Sequence, residues 1–559
     1  MKKILLTAVS ALALTSAAHA NTSTSNVIQS GNNQEATVVQ TLANSSDSTI
    51  IQSNQKNKAS VTQKGNDNKS GIDQSANGAK ATVKQDSSSE VATSNDPTND
   101  SYIKQTAAST ATVTQTGEGN KSGIDQSGVG STATVTQLNA NRPTAGAPNR
   151  LNTASINQAA DGANATIDQN GEGGLSYIIQ TAAADGSSAS STQLGEDNIS
   201  GITQSGSANI ATVLQASGPG IANNGSKSFV DQSGSNNKAD VSQNGAGNGS
   251  DVKQYGVGGV VKVGQTGTDN YSKVEQTAAG SSSVDVKQKG LGNGSEVVQA
   301  SAASQVKVDQ DGTSNSSVVN EIAGFSLVNV EQDGTANISN VGQLTGAAAV
   351  FVKQDGLQNN SQVSQLGTAA VVDVNQRGAR NISTVGQQNG FDLDFKNSLV
   401  DVDQIGDDNR STVSQGGLDQ LAYVEQTGNF NVSSVVQSGN DNLADVDVKG
   451  NANGSIIQQS NSKNYASLVV DDGSLNQSAI YQTGTFQDAR VTQRGDGNSS
   501  LVDQSGSQQD ATVTQDGDAN YSKITQTDFS NEAIVTQATN ANISVITQGG
   551  SNNFASVSQ

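Results

Sequence analysis

Seven glutamines stand 11 residues apart at the C-terminal end of the chain: Gln493, Gln504, Gln515, Gln526, Gln537, Gln548 and Gln559. The same register runs back, through occasional irregular spacings, to Gln29. It gives 46 marker positions, of which 43 are Gln; Glu321, Val448 and Val470 are the exceptions. Two residues before each marker stands Val, Ile or Leu, as at Val502, Val513 and Ile524, with Ser191 the one departure. Four residues before it stands Ala, Ser or Val. These three positions share parity, so in a strand they point to one face of a sheet. Glu321 is the one charged residue on that face, whereas Arg490, Asp503 and Lys523 fall on the other. A one-sided, half-buried strand requires that partition, and a period of two residues excludes a helix.

The small position sets the size of the repeating unit. It alternates as Ser478, Ala489, Ser500, Ala511, Ser522, Ala533, and in the middle of the chain as Ser272, Val284, Ser295, Val306; Ala154 alone is out of turn. The true period is therefore 22 residues, two strands per unit, and 46 strands make 23 units. A triangular rung of three strands contradicts this alternation. Between strands the chain reads Gln-x-Gly-x-x-Asn, as at Gln493-Gly495-Asn498 and Gln515-Gly517-Asn520. Gly and Asn tolerate positive φ, so a tight reversal is expected there. The pattern predicts an all-β, cross-β-like fold: a parallel two-sheet β-solenoid of stacked strand–turn–strand units, continuous over residues 25–559. Rungs about 4.8 Å apart would let each Gln carbonyl accept from the Gln amide one rung away. Asn498, Asn520 and the other turn asparagines are expected to form a similar ladder.

All four prolines fall where the spacing widens: Pro97, Pro143, Pro148 and Pro219. Proline cannot donate to a ladder. Loop insertions are thus expected near residues 86–100, 138–153 and 216–227, with a fourth near 388–399. At the N-terminus, Lys2 and Lys3 precede an apolar run from Ile4 to Leu14, and Ala18-His19-Ala20 supplies a small-x-small cleavage site. Residues 1–20 therefore read as a secretory signal peptide. Residues 21–24 would form a short mature segment before the first strand. Removing the leader leaves 28 basic against 51 acidic residues, a net of −23, and no His, Cys or Trp. Hydrophobic content is only 32%, below the globular norm of about 45–50%. Because the apolar residues are periodic, burial by stacking replaces the usual core.

These residues exclude several functions. A mature chain without His or Cys has no imidazole base, thiol nucleophile or usual transition-metal site. The pairs Asp407-Asp408 and Asp471-Asp472 read as solvated turn acids. No catalytic residue, cofactor or metal is expected. The acidic balance repels phosphate, so no nucleic-acid partner is expected, and no segment reads as a membrane span. A bare sheet edge templates another chain. The first strand, with Ser25, Val27 and Gln29, and the last, with Ala555, Val557 and Gln559, are therefore the expected polymerisation ends. The alternative is a monomeric surface solenoid, a binding module or adhesin. Its outward Thr, Ser and Asp rows, such as Thr512 and Thr514, would contact glycan, ice or a surface.

The motif Gln-x-Gly-x-x-Asn-x-(Ala/Ser)-x-(Val/Ile)-x-Gln resembles the curlin repeat of bacterial curli amyloid subunits. It stands intact at Gln493-Gly495-Asn498-Ser500-Val502-Gln504 and at Gln515-Gly517-Asn520-Ser522-Ile524-Gln526. The resemblance covers nearly the whole mature chain, which is longer than familiar members. It implies a secreted fibre subunit at the bacterial cell surface, with a role in biofilm matrix, adhesion and surface colonisation. Gln and Asn ladders would run along the fibre. The implied partners are further copies or related curlin subunits, with a nucleator and outer-membrane secretion machinery as additional candidates. Only Asn21 to Thr24 stand where familiar members carry a Gly-rich leader.

Overall fold

The computed structural model describes residues 13–16, 22–87, 99–139, 151–216, 225–277, 280–322, 324–344, 346–366, 368–388 and 398–559. Ala18, Ala20, the four prolines and the bodies of the four insertions lie outside the described residues. Between Thr24 and Ser558 there are 46 strands, one for each marker position, and among the described residues there is no helix. The chain divides into two compact units, residues 1–281 and 282–559.

In each unit the strands sort into two parallel sheets according to the residue at the small position, with Ala154 the exception in the Ser-bearing sheet. One, here called the Ser sheet, holds strands such as Ser499–Ser507 and Tyr521–Phe529. The other, the Ala/Val sheet, holds strands such as Asp488–Arg494 and Asp510–Asp516. Within each unit a strand pairs with the strand two places along in sequence. Thus Ala489, Val491 and Gln493 lie beside Ala511, Val513 and Gln515, and Ser500, Val502 and Gln504 lie beside Ser522, Ile524 and Gln526. This is the 22-residue, two-strand turn, with equivalent side chains stacked. In unit 1 the Ser sheet runs from Thr24–Asn32 to Tyr271–Gln276, and the Ala/Val sheet runs from Glu35–Thr41 to Val260–Thr268 with Ala13–Ser16 added at its first edge. In unit 2 they run from Gly294–Gln299 to Ile543–Gln548 and from Ser283–Leu291 to Phe554–Ser558.

Burial follows parity. Val502, Val513 and Ile524 are fully buried, as are Gln504, Gln515 and Gln526. The residues between them are partly exposed or exposed. Each rung removes two large β-branched side chains from water, worth about 1.5–3 kcal/mol apiece. That increment repeats with every turn, so a chain poor in apolar residues still folds.

The reversals differ in one detail from the expectation. Glycine does adopt positive φ: Gly334 has φ +113, and a Cβ there would lie 2.1 Å from the Gly356 carbonyl oxygen of the next rung. Glycine suits this position in stacked turns, although Asn54, Asn461 and Asp528 also stand at it, with φ of 72, 73 and 74. The second left-handed residue is the one before the asparagine, Ala336 (φ 56) ahead of Asn337 and Ala519 (φ 56) ahead of Asn520. The asparagine itself turns inward and is buried. Part of the segment read as a leader is also described. Ala13–Ser16 forms a strand parallel to Glu35–Thr41, with Leu14 beside Val38.

Candidate assembly site

The inward glutamines form a directional chain of amides. Gln493 Nε2 donates to Gln515 Oε1 at 2.7 Å, Gln515 to Gln537 at 2.8 Å, Gln504 to Gln526 at 2.9 Å and Gln526 to Gln548 at 2.8 Å. The second N–H of the same amide donates to a backbone carbonyl of the facing sheet. Gln515 Nε2 reaches Ser499 O at 3.1 Å and Gln504 Nε2 reaches Asp488 O at 3.0 Å. Both donors of a buried amide are thus used, which removes the desolvation cost of placing glutamine in a core. The bond to the facing sheet also ties the two sheets together.

The asparagine ladder works through the backbone. Asn520 N–H donates to Asn498 Oδ1 at 2.9 Å, while Asn498 Nδ2 donates to Gly517 O at 2.8 Å. The same arrangement joins Asn359 to Asn337 and Gly378. Side chain-to-side chain bonds of the kind expected occur at a minority of rungs, such as Asn270 to Asn248. Asparagine suits the site because its short side chain reaches the turn backbone above and below it.

Wherever a bond joins two marker glutamines it runs the same way, the amide N–H donating to the following rung, as from Gln29 to Gln52 and from Gln526 to Gln548. The C-terminal end therefore presents amide donors and the N-terminal end presents carbonyl acceptors. The outermost strands are also the least covered. Ser25 is exposed and Val27 and Gln29 are half-buried, whereas their neighbours one rung in, Ser48, Ile50 and Gln52, are 2%, 0% and 0% exposed. At the other end Ala555 and Val557 are half-buried and Gln559 is exposed. Its bond from Gln537 is long, 3.4 Å. Among the described residues no strand pairs with the outer edge of Ile543–Gln548 or of Phe554–Ser558.

Interruptions of the ladder are bridged by serines, which sequence reasoning did not identify. Val448 and Val470 separate Gln426 from Gln493 in the Ala/Val sheet. Gln426 Nε2 turns to Ser433 Oγ at 2.8 Å, and Ser478 Oγ donates to Gln493 Oε1 at 2.6 Å. Both serines belong to the facing sheet's small column, so the 22-residue alternation could have pointed to them. Glu321, fully buried, accepts from Ser301 and Ser326 Oγ through Oε1, each at 2.6 Å. Ser191, which replaces Val, bonds to Ser176 Oγ at 2.9 Å and to Ser200 Oγ.

The outer face of the Ala/Val sheet in unit 2 concentrates carboxylates. Asp403, Glu425 and Asp447 stack in register, bordering an open groove of about 440 Å³ with Asp401, Asp445 and Tyr423. Partial burial, and then the adjoining carboxylates, raise Asp373, Asp401, Asp403 and Asp445 above the ordinary aspartate range. Glu425 is raised by the same causes, with Asp447 the largest neighbour. By contrast the exposed Asp408 is held low by a forked bond from Arg380 at 2.7 and 2.6 Å. Among the described residues no group of three His, Cys, Asp or Glu is arranged to hold a metal ion, and no helix is long and apolar enough to cross a membrane.

Fold and site together define a class: a parallel β-solenoid repeat protein whose core is a polar amide ladder between β-branched walls. The model of the Curlin associated repeat matches five segments, residues 56–86, 106–138, 229–256, 396–428 and 488–517. Each segment spans three consecutive marker glutamines, for example Gln493, Gln504 and Gln515. The chain therefore carries curlin repeats, which are those of a structural rather than an enzymatic family. No curated protein matches the chain.

Proposed function

We propose that the chain is an exported subunit that adds end to end to further copies, building extracellular curli-type fibres for biofilm matrix, adhesion and surface colonisation. The carrying observation is the one-way amide ladder. Outward amide N–H groups of Gln548 and Gln559 complement the outward carbonyls of Gln29 and Gln40, and the stacked strands add backbone bonds in the same direction. Such a head-to-tail contact does not close on itself and extends as an open filament. Residues 1–20 act in this reading as a leader cleaved after Ala20, and Ser25, Val27, Gln29, Ala555, Val557 and Gln559 are the joining surfaces. A nucleator and an outer-membrane secretion channel are the further partners it calls for.

The test uses residues 21–559 with Val545→Pro and Ser556→Pro, which deny the C-terminal edges outward ladder donors: the backbone N–H groups of this parity point to the following rung, as from Tyr521 to Asn542 and from Glu532 to Asn553. This chain is expected to join a growing end and then stop it, so a small fraction should arrest thioflavin-detected seeded growth of the natural chain. Growth that proceeds at the natural rate in its presence, or a natural chain that never seeds, overturns the proposal. A second reading, a monomeric binding module, is favoured by one observation. Thr110, Thr112 and Thr114 lie in register with Thr132, Thr134 and Thr136, a flat hydroxyl grid on unit 1. Glycan binding by the proline-bearing chain, with no seeding by the natural one, would favour it.

A further inference from the structure

The two outer faces of unit 2 differ in charge. Counting the three outward positions of each strand before its marker, the Ala/Val sheet presents sixteen charged residues, twelve of them acidic. The Ser sheet presents four: Glu296, Arg410, Asp503 and Lys523. These are two of each sign, so the face is neutral. From Ser316–Glu321 to Ile382–Gln388 its strands carry no outward charge at all. From Val432–Asn440 to Ile543–Gln548 the neutral face also becomes apolar. Val432 is 49% exposed, Ile456 42%, Tyr521 38%, Ile543 68% and Val545 59%. Leu501 and Ala479 line an open groove of about 490 Å³ between them.

A flat sheet face with exposed β-branched and aromatic side chains is a site of association. We propose that the outer face of the Ser sheet in unit 2 packs against the same face of a second copy, joining chains side by side. Charge selects this occupant. The neutral face meets itself without repulsion, whereas the acidic face of the Ala/Val sheet opposes its own copy, and like-charge juxtaposition costs several kcal/mol. The repeat selects it as well. Both copies carry the same rung spacing, so the rows of one face interdigitate with those of the other along the whole length, as in a dry zipper. Small residues among the large ones, such as Ser434, Gly454 and Ala479, leave room for that interdigitation.

The area suffices. Twelve strands about 4.8 Å apart, each about six residues of about 3.3 Å, cover about 1,150 Å² per copy. Two copies thus bury about 2,300 Å², beyond the roughly 1,600 Å² of a standard specific interface. The apolar strands form its centre and the neutral polar strands its margin, the usual anatomy of such a surface. A two-fold axis along the stacking direction makes the contact self-complementary and keeps both copies pointing the same way. Its consequence for fibres, paired filaments that lengthen together, rests on the end-to-end reading above; the pairing itself needs only the folded chain.

The test compares three forms of the full mature chain: natural, Ile456→Asp with Leu501→Asp, and Ile456→Lys with Leu501→Lys. Both substituted positions point outward, so an unchanged urea midpoint is expected. Sedimentation of the soluble chain should show loss of the pair in either variant alone and its recovery when the two variants are mixed. If fibres grow, each variant alone should give single filaments by electron microscopy, with seeded elongation at the natural rate. Pairing that persists in the separate variants, or that Thr512→Asp on the acidic face abolishes equally, overturns the proposal. Failure of end-to-end growth in all forms would leave the sedimentation comparison to decide pairing alone.

Discussion

Glu321 stands one rung from Gln343 in the Ser sheet, in register, with two acceptors facing one another. Glu321 Oε2 and Gln343 Oε1 are both buried and neither has a hydrogen-bond partner. Glu321→Gln would replace one acceptor by an amide donor, remake the ladder into Gln343 and keep the Oε1 bonds from Ser301 and Ser326. Removing a pair of buried unsatisfied acceptors is worth about 1–3 kcal/mol. The expected outcome is a higher urea midpoint with an unchanged slope. An unchanged or lower midpoint would show that the carboxylate already has compensation.

The small column of the Ser sheet makes a contrasting prediction. Ser478 supplies the one serine donor to Gln493 Oε1 across the break at Val470, so Ser478→Ala should cost about 1–2 kcal/mol. Ser339 and Ser361 are equally buried, yet their hydroxyls have no partner. Ser339→Ala and Ser361→Ala should therefore be neutral or stabilising. Denaturant midpoints of the three single variants decide it, and equal losses at all three sites would refute the assignment.

Most of the repeat was legible in the sequence because it depends on parity and period, which are local and repeat 46 times. Val513 and Gln515 are buried, and they stack on Val491 and Gln493, for the reason read from their spacing. What the sequence did not disclose depends on geometry across the two sheets. The second bond of each glutamine, as from Gln515 to Ser499 O, requires knowing how facing strands are offset. The inward turn of Asn337 requires that Ala336 take the left-handed conformation, a preference that alanine does not advertise. Ser191 shows in sequence only as a departure from the Val, Ile or Leu column. Its hydroxyl meets Ser176 and Ser200, two members of the opposite column that only the folded offset brings together.

Acidification is expected to stabilise unit 2. Asp373, Asp401, Asp403, Glu425 and Asp445 are raised, mainly by burial and then by neighbouring carboxylates. A carboxyl held high when folded keeps a proton that the unfolded chain has already released. Stability is then lost as pH rises from the ordinary aspartate value, about 3.9, through the raised folded value. It is regained as pH falls through that window. Asp447, Lys449 and Arg377 face the same cluster and set its local field. The exposed Asp408, held low by Arg380, acts in the opposite sense. Urea midpoints should rise as pH falls from 7 toward the ordinary aspartate value of about 3.9, and Asp403→Asn with Asp445→Asn should flatten that rise. A midpoint that falls over the same range would contradict this account.

Shortening the stack and breaking it should have unequal consequences. Deleting Ala555 to Gln559 removes the outermost strand of the Ala/Val sheet, whose inward residues are already half-buried or exposed. The edge that remains, Glu532–Gln537, carries Ala533, Val535 and Gln537 at the same positions. It therefore offers the same surface as the strand that was lost. Val513→Pro acts inside the stack, between Val491 on one side and Val535 on the other. It removes a ladder donor with no solvent to replace it and forces the ring against a neighbouring strand. Because Gln515 donates both to Gln537 and to Ser499 O, displacing that strand also unties the two sheets. The truncated chain should lose no more than the increment of one strand, about 1.5–3 kcal/mol, and elongate somewhat more slowly. The proline chain should lose a larger share of its stability, with amide exchange accelerated in the flanking strands Asp488–Arg494 and Glu532–Gln537. Equal losses in the two variants would mean that the terminal strand is not equivalent to an internal one.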